Sequence, residues 1–350
     1  MNTSPETLSL ISTGMITANG GNTAMVAASV KAGITCINET HYYNKRNKVI
    51  RMAVIPDGSL DPLDESLNRV QEIKQSHTYL LQMASQALLE CLQTYTPNEA
   101  VPILMSCPEI TPGTTSKIHA DFIKHLQIQS KANIDLQNSK LFFTGRAGGF
   151  QAIELAFKFL QKTGREFVLV GGVDSYQHCL QQLSKLDNED RLLVEDTLDG
   201  FIPGEAGGFL LLASNEAREK RALKSCLTIA YPSSTQEAGH RYSETPYLGD
   251  GLASAFQQAL TYAPNIKINS LYSSMNGESF GSKEFGVALT RNSKRLASDI
   301  DINHPADCFG DIGAAFGPVL LGLLSQTNSC SSLAYCSSDG AYRSAVCAWK

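Results

Sequence analysis

The 350-residue chain lacks the features that mark membrane proteins and nucleic-acid-binding proteins. Its longest nearly apolar run, 312–324, is too short and too rich in glycine to cross a bilayer, which takes about 20 helical residues. The 29 basic and 34 acidic side chains give a net charge of -5, and no stretch concentrates the basic ones. We therefore expect neither a membrane nor a nucleic-acid partner.

Signals for secretion, metals and nucleotides are missing as well. Residues 1–10 contain neither a basic stretch nor a sustained apolar one, so no signal peptide is predicted. The nine cysteines are scattered and form no CxxC pair and no Cys/His ligand cluster. A GxGxxG pattern followed by an acidic residue is absent. These absences favour a reduced, cytoplasmic protein without a metal or a cofactor.

What the sequence does contain is an alternation of strands and helices. Short apolar stretches such as 101–107, 166–171 and 226–230 are typical of buried strands, whereas 148–164 repeats apolar residues at helical spacing. Strands that alternate with crossover helices predict an α/β protein with largely parallel sheets covered on both faces. Residues 38–61 show no periodicity, and we predict a loop there.

The second half of the chain repeats the pattern of the first. Glycine and other small residues open a helix near 148–150 and open another near 313–317. Small side chains at a helix start allow close approach of a neighbouring backbone, as two central helices of a duplicated fold require.

Several segments, in the same order and spread over nearly the whole chain, resemble the β-ketoacyl synthases of the thiolase superfamily. The most specific is the ten-residue stretch 199–208, and the others are 12–20, 150–156, 170–175, 310–315 and 337–340. The resemblance implies a thiolase-like duplicated fold, layered α-β-α-β-α with two mixed, largely parallel sheets. It also implies an N-terminal half, 1–222, and a C-terminal half, 223–350, packed as one compact unit.

At the catalytic positions of that family, this chain carries residues of a different chemical type. Members carry a nucleophilic cysteine at a helix N-terminus and two further side chains, usually histidines, that assist decarboxylation. The corresponding positions here read Arg146, Asn276 and Gly310. A guanidinium cannot accept an acyl group, and losing one member of such a set costs about a million-fold in turnover. Condensing activity is therefore not expected.

Arg146 has two interpretations. It fills the former site and pairs with an acid such as Asp311 or Glu278, or it holds the carboxylate of a ligand. A cation at a helix N-terminus is unfavourable, so we expect a compensating carboxylate or bound anion in either case. The candidate ligand-binding residues are Arg146, Asn276, Glu278, Asp311 and His304.

Three functional hypotheses follow from the resemblance. The first is a catalytically inactive bacterial subunit that scaffolds or assists, as chain-length factors do or as an adaptor in effector export would. Its partners would be a second copy in a homodimer, or another protein in a heterodimer, with acyl carrier protein or an acyl ligand as further candidates. The second is a repurposed acyl-thioester hydrolase, acyltransferase or decarboxylase that uses Arg146. The third is an active synthase whose nucleophile is Cys107, Cys179 or Cys308.

Overall fold

The protein is described by a computed structural model that covers residues 7–70, 73–195, 197–263, 267–328 and 330–350. Residues 1–6, part of the stretch examined for a signal peptide, lie outside this range. The strands are β1 (Thr7–Thr17), β2 (Asn38–Tyr43), β3 (Val49–Met52), β4 (Ile103–Ser106), β5 (Lys140–Phe142), β6 (Phe167–Ser175), β7 (Glu205–Ser214), β8 (Leu227–Ala230), β9 (Ser233–Gln236), β10 (Ile268–Ser273), β11 (Leu296–Asn303), β12 (Ser332–Ser337) and β13 (Tyr342–Trp349). The helices are α1 (Thr23–Lys31), α2 (Gln75–Thr94), α3 (Phe122–Ser130), α4 (Gly148–Thr163), α5 (Leu180–Asn188), α6 (Asn215–Lys220), α7 (Asp250–Thr261), α8 (Ser279–Asn292), α9 (Ala306–Phe309) and α10 (Phe316–Ser325).

Two groups of five strands share one order and one set of strand directions. The first group runs β5-β4-β6-β7-β1, and the second runs β11-β10-β12-β13-β8. In each group the first two pairings are parallel and the last two are antiparallel. Because each half uses its strands in the same succession, the predicted duplication is confirmed at the level of topology.

The two groups join edge to edge. Strand β8 pairs antiparallel with the start of β1 on one side and with the end of β13 on the other. The two predicted sheets are therefore halves of one hydrogen-bonded sheet, in which β9 forms an extra pairing with β13. The predicted α/β class is confirmed, with an even mixture of parallel and antiparallel pairings in each half.

Helices α4 and α10 lie between the two halves of the sheet. Helix α4 contacts β4 and β6 of the first half and β9 and β13 of the second, and α10 contacts β6, β7 and β12. Their apolar side chains share one core with strands of both halves. Helix α2 packs on the outer face of β1, β6 and β7, and α7 packs on β9 and β13. The order of layers is thus helix, sheet, helix, sheet, helix.

The two central helices meet at glycine. A Cβ atom built on Gly149 would lie 2.9 Å from the Cα atom of Gly317, and one built on Gly317 would lie 2.8 Å from the Cα atom of Gly149. Any larger residue would push the helices apart. Each glycine sits four residues after a left-handed glycine that opens a 3-10 turn, Gly145 with φ 61° and Gly313 with φ 49°. The two helix starts are therefore equivalent in the two halves.

Some elements were not predicted. Residues 38–61 are not all loop, because β2 and β3 form an antiparallel hairpin within them. The hairpin was missed because β2 is largely polar and exposed or half-exposed, and β3 is only four residues long, too short to show a strand period. Helix α8 was missed because Gly281 and Gly286 interrupt it and few of its residues are buried. No helix in the described ranges is long and apolar enough to span a bilayer.

Candidate functional site

Arg146 lies inside the protein at the turn that precedes α4. Strand β5 ends at Phe142, and the 3-10 turn Gly145–Ala147 leads directly into the helix. The Arg146 side chain is 7% exposed, and its Nε atom lies 3.0 Å from Oδ2 of Asp311. Its Nη2 atom donates to the same carboxylate, and Nη1 donates to Oδ1 of Asp339 at 3.0 Å. Two carboxylates thus compensate the cation at this helix start, as the sequence led us to expect.

Asp311 connects the guanidinium to the start of α10. Its side chain is fully buried, and its Oδ1 accepts the backbone N–H of Gly313 at 2.9 Å. Its Oδ2 accepts Nδ2 of Asn276 at 2.7 Å. The same Asn276 amide donates to Oε2 of Glu278 at 3.1 Å. Four of the residues predicted as a site, Arg146, Asn276, Glu278 and Asp311, therefore lie together.

A second arginine continues the network and was not predicted. Arg191 donates Nε and Nη2 to the two oxygens of Glu278, both at 2.8 Å. It also donates Nη1 to Oδ2 of Asp339 at 2.7 Å. Arg241 adds a contact of 3.0 Å from its Nη2 to Glu278. Arginines and carboxylates thus alternate across the site, and Glu278 pairs with Arg191 and Arg241, not with Arg146.

The network joins segments that are distant in sequence. Asp339 lies in the turn between β12 and β13, and Arg191 lies after α5. Burial opposes the charged form of Arg146, but Asp311 and Asp339 raise the pKa of Arg146 well above its ordinary value. Burial alone would raise the pKa of Asp339, yet Arg191 and Arg146 hold it well below the usual range. The charges therefore keep one another ionised.

Glu109 closes the network on the side of β4. Its carboxylate accepts the backbone N–H of Asp339 at 3.1 Å and that of Gly340 at 2.8 Å. Burial and the nearby Asp339 carboxylate raise the pKa of Glu109 to about 7. Glu109 therefore takes up a proton near neutral pH while it holds the β12–β13 turn in place.

A small cavity adjoins Arg146. Its volume is about 30 Å³, and its lining includes Arg146, Arg241, Asn276, Glu278, Asp339 and Arg343. That volume holds two or so water molecules and excludes an acyl chain. Four buried polar atoms of the lining have no hydrogen-bond partner in the described protein: Nη2 of Arg343, Nε of Arg241, Oγ of Ser337 and the Tyr335 hydroxyl. Water in the cavity can hydrogen-bond to them.

The other two predicted residues lie differently. His304 bonds through Nδ1 to Oγ of Ser273 at 2.7 Å and contributes nothing to the ion-pair network. Gly310 has φ 70° and ψ -169°, a backbone conformation that is essentially restricted to glycine. A Cβ atom there would lie 2.7 Å from the carbonyl oxygen of Ile202. This backbone therefore has no place for a side chain at the Gly310 position.

Two of the cysteines considered as alternative nucleophiles, Cys107 and Cys308, are buried. The side chain of Cys107, at the end of β4, is completely buried, and burial raises the pKa of its thiol well above the ordinary value. Burial also raises the pKa of Cys308. In both cases the thiol is favoured over the reactive thiolate. Within the described ranges no group of His, Cys, Asp and Glu side chains is arranged to hold a metal ion.

Comparison with known proteins identifies the fold. No family model matches the chain, and no curated protein matches it in sequence. Among solved structures, the oxazolomycin ketosynthase domain OzmH KS7 of Streptomyces albus JA3453 matches with a TM-score of 0.81 at 13% identity, over 98% of this chain and 74% of that one. The ishigamide ketosynthase/chain length factor matches with a TM-score of 0.77 at 13% identity, over 99% of both chains.

A third match is a type II polyketide ketosynthase, AntDE, solved in complex with its acyl-carrier protein, AntF. Its TM-score is 0.74 at 14% identity, over 99% of both chains. Identities this low establish a shared fold and leave activity undecided. The chain thus has the ketosynthase fold that the sequence predicted.

Proposed function

We propose that this protein is a catalytically inactive, ketosynthase-like subunit of the bacterial cytoplasm that acts by binding a partner protein. The observation that carries the proposal is the state of Arg146. The residue at the nucleophile position is a buried cation whose three nitrogens are all engaged with Asp311 and Asp339. A side chain used in this way stabilises the fold and leaves no group free to accept an acyl chain.

The alternative of a repurposed acyl-thioester enzyme has less support. For Arg146 to hold the carboxylate of a substrate, Asp311 or Asp339 would first have to leave it. Separating a buried carboxylate from its partner costs about 3–5 kcal/mol. The cavity of about 30 Å³ beside Arg146 would also have to enlarge to admit a thioester. Scaffolding requires neither change.

A partner of the same fold is the kind of protein that the similar structures suggest. One of them is described as a ketosynthase/chain length factor, and another as a ketosynthase with its acyl-carrier protein. In this chain, β5 is the last strand at its edge of the sheet. A groove beside it is lined by apolar side chains that include Ile123, Leu136, Leu141 and Phe143. We propose that a second ketosynthase-like chain, identical or different, binds along this edge.

The experiment is affinity purification of the full chain from its native host, followed by mass spectrometry and by an assay for acyl-thioester turnover. We expect a stoichiometric companion, or a homodimer, and no turnover. Leu136→Asp should lose the companion, because Leu136 lies in the groove and is 41% exposed. Leu198→Asp is the matched control, since Leu198 is fully exposed elsewhere.

Two results would overturn the proposal. One is turnover of acyl-coenzyme A or acyl carrier protein that disappears in Arg146→Ala while the variant stays folded. The other is a monomeric protein that recovers no companion from its host. If the companion still binds the Leu136→Asp variant, the scaffolding function stands and the binding surface lies away from β5.

A further inference from the structure

Two cysteines that are far apart in sequence are joined by a backbone hydrogen bond close to the segment that carries Asp311. Cys36 belongs to the segment between α1 and β2, and Cys308 belongs to α9. The backbone N–H of Cys36 donates to the carbonyl oxygen of Cys308 at 3.0 Å. A backbone hydrogen bond of this length places the two Cα atoms about 5–7 Å apart, depending on the orientation of the two segments. Disulfides join residues whose Cα atoms are about 4.4–6.8 Å apart.

The surroundings of the pair are asymmetric. Cys308 is 7% exposed and packs in the central core, whereas Cys36 is partly exposed. Burial, Asp307 and the neighbouring Cys36 thiol together raise the pKa of Cys308. A reagent from solution therefore reaches Cys36 first, and Cys308 stands behind it as the second thiol. No other two cysteines in the described ranges are linked by a backbone hydrogen bond.

We propose that Cys36 and Cys308 form a reversible disulfide by exchange with a low-molecular-weight disulfide such as oxidised glutathione. The Cys36 thiolate attacks one sulfur of the small disulfide, which releases one reduced thiol and leaves a mixed disulfide on Cys36. The Cys308 thiolate then attacks the Cys36 sulfur and releases the second reduced thiol. The protein pair loses two electrons to the small disulfide, and the two protons of the cysteines end on the two released thiols.

The position of the bond gives it a consequence for the ion-pair network. Cys308 lies three residues before Asp311, and the backbone N–H of the intervening Gly310 donates to the carbonyl oxygen of Ala306 at 2.8 Å. A bond to Cys36 fixes α9, and with it the short segment that delivers Asp311 to Arg146. The disulfide would therefore restrain a segment next to the site, although neither cysteine belongs to the ion-pair network. Disulfides of proteins in reducing compartments are commonly transient and redox-sensing, which suits a reversible bond of this kind.

The test uses the purified full chain in glutathione buffers of increasing oxidising strength. Free thiols are alkylated, and peptides are mapped by mass spectrometry without reduction. We expect one linked peptide pair that contains Cys36 and Cys308 and that disappears after treatment with dithiothreitol. Cys36→Ser should abolish it, and Cys179→Ser, which alters another partly exposed cysteine, should leave it at the wild-type level.

Two outcomes would contradict the proposed disulfide. If Cys36 accumulates bound glutathione while Cys308 stays free to be alkylated, the two sulfurs do not meet and the inference is wrong. It is also wrong if the linked peptides join other cysteines. Cys308→Ser is a second variant whose folding is checked by circular dichroism. Cys36→Ser alone decides the question if Cys308→Ser does not fold, because Cys36 is partly exposed.

Discussion

Replacing Arg146 by alanine tests the role of the buried ion pairs most directly. The substitution removes the guanidinium that bonds to both oxygens of Asp311 and to Oδ1 of Asp339. Asp311 is fully buried in the intact protein, so the loss of Arg146 leaves its charge in the interior without its main partner. Removing one partner of a buried ion pair typically costs about 3–5 kcal/mol of the free energy of unfolding.

The hydrogen bonds that Asp311 and Asp339 keep in Arg146→Ala indicate a cost near the lower end of this range. Asp311 keeps hydrogen bonds from Asn276 and from the backbone of Gly313, and Asp339 keeps Arg191. We therefore expect Arg146→Ala to cost about 3 kcal/mol, the lower end of the range for buried pairs. Adding Asp311→Asn removes the stranded charge and should restore about 2 kcal/mol of that loss.

The assay is urea unfolding followed by circular dichroism, with the free energy of unfolding extrapolated to water. The control is Arg291→Ala, because Arg291 pairs with Asp250 at the surface and both side chains are more than half exposed. An exposed pair contributes about 1 kcal/mol or less. The reasoning fails if Arg146→Ala loses no more stability than Arg291→Ala, or if Asp311→Asn brings no recovery.

Three further predictions concern pH and backbone conformation. The pKa of Glu109 is raised from 4.5 to about 7, so its contribution to stability is complete below pH 4.5 and is lost as the pH rises through 7. Glu109→Gln should remove this loss, which amounts to roughly 3 kcal/mol of the free energy of unfolding. Urea unfolding at several pH values measures it, and a variant whose stability depends on pH as the wild type does would contradict the prediction. Burial and the neighbouring His125 lower the pKa of His77 from 6.5 to about 4, so stability should fall as the pH drops from 6.5 towards 4, and His77→Gln should flatten that limb. Gly310→Ala should cost about 2 kcal/mol or more in thermal and urea unfolding, whereas Gly286→Ala in α8, where a Cβ atom meets nothing, should be neutral or stabilising.

The architecture could be predicted because local patterns encode it. The apolar stretch that became β6 and the helical spacing that became α4 are properties of neighbouring residues. The glycines that open both central helices also stand out in the sequence, and their function, close backbone contact, follows from their size. The β2–β3 hairpin and α8 were not predicted, because the local patterns in their sequences are weakly periodic.

The site could be predicted only where a family pattern marked a position. Asp311 lies in a segment that resembles a synthase motif, and Arg146 lies four residues before Phe150, where another such segment begins. Their pairing is one of the two interpretations that the sequence leaves open for Arg146. Arg191 lies in no such motif, and its partner Asp339 is 148 residues away in the chain. Contacts of that separation are set by the three-dimensional fold and leave no local trace. The alternation of arginines and carboxylates is therefore visible only in the folded protein.

The antiparallel contact between β1 and β8 bears on how the chain can be divided. Cutting between residues 222 and 223 would leave Thr7–Leu10 and its partner Leu227–Ala230 without their hydrogen bonds, as two open sheet margins. The same cut would strip α4 and α10 of the strands that cover them from the opposite half. Unprotected margins of this type recruit other chains and aggregate. We therefore expect that neither fragment is obtained as a stable monomer when it is produced alone, and that co-production of both fragments is needed to recover the native protein.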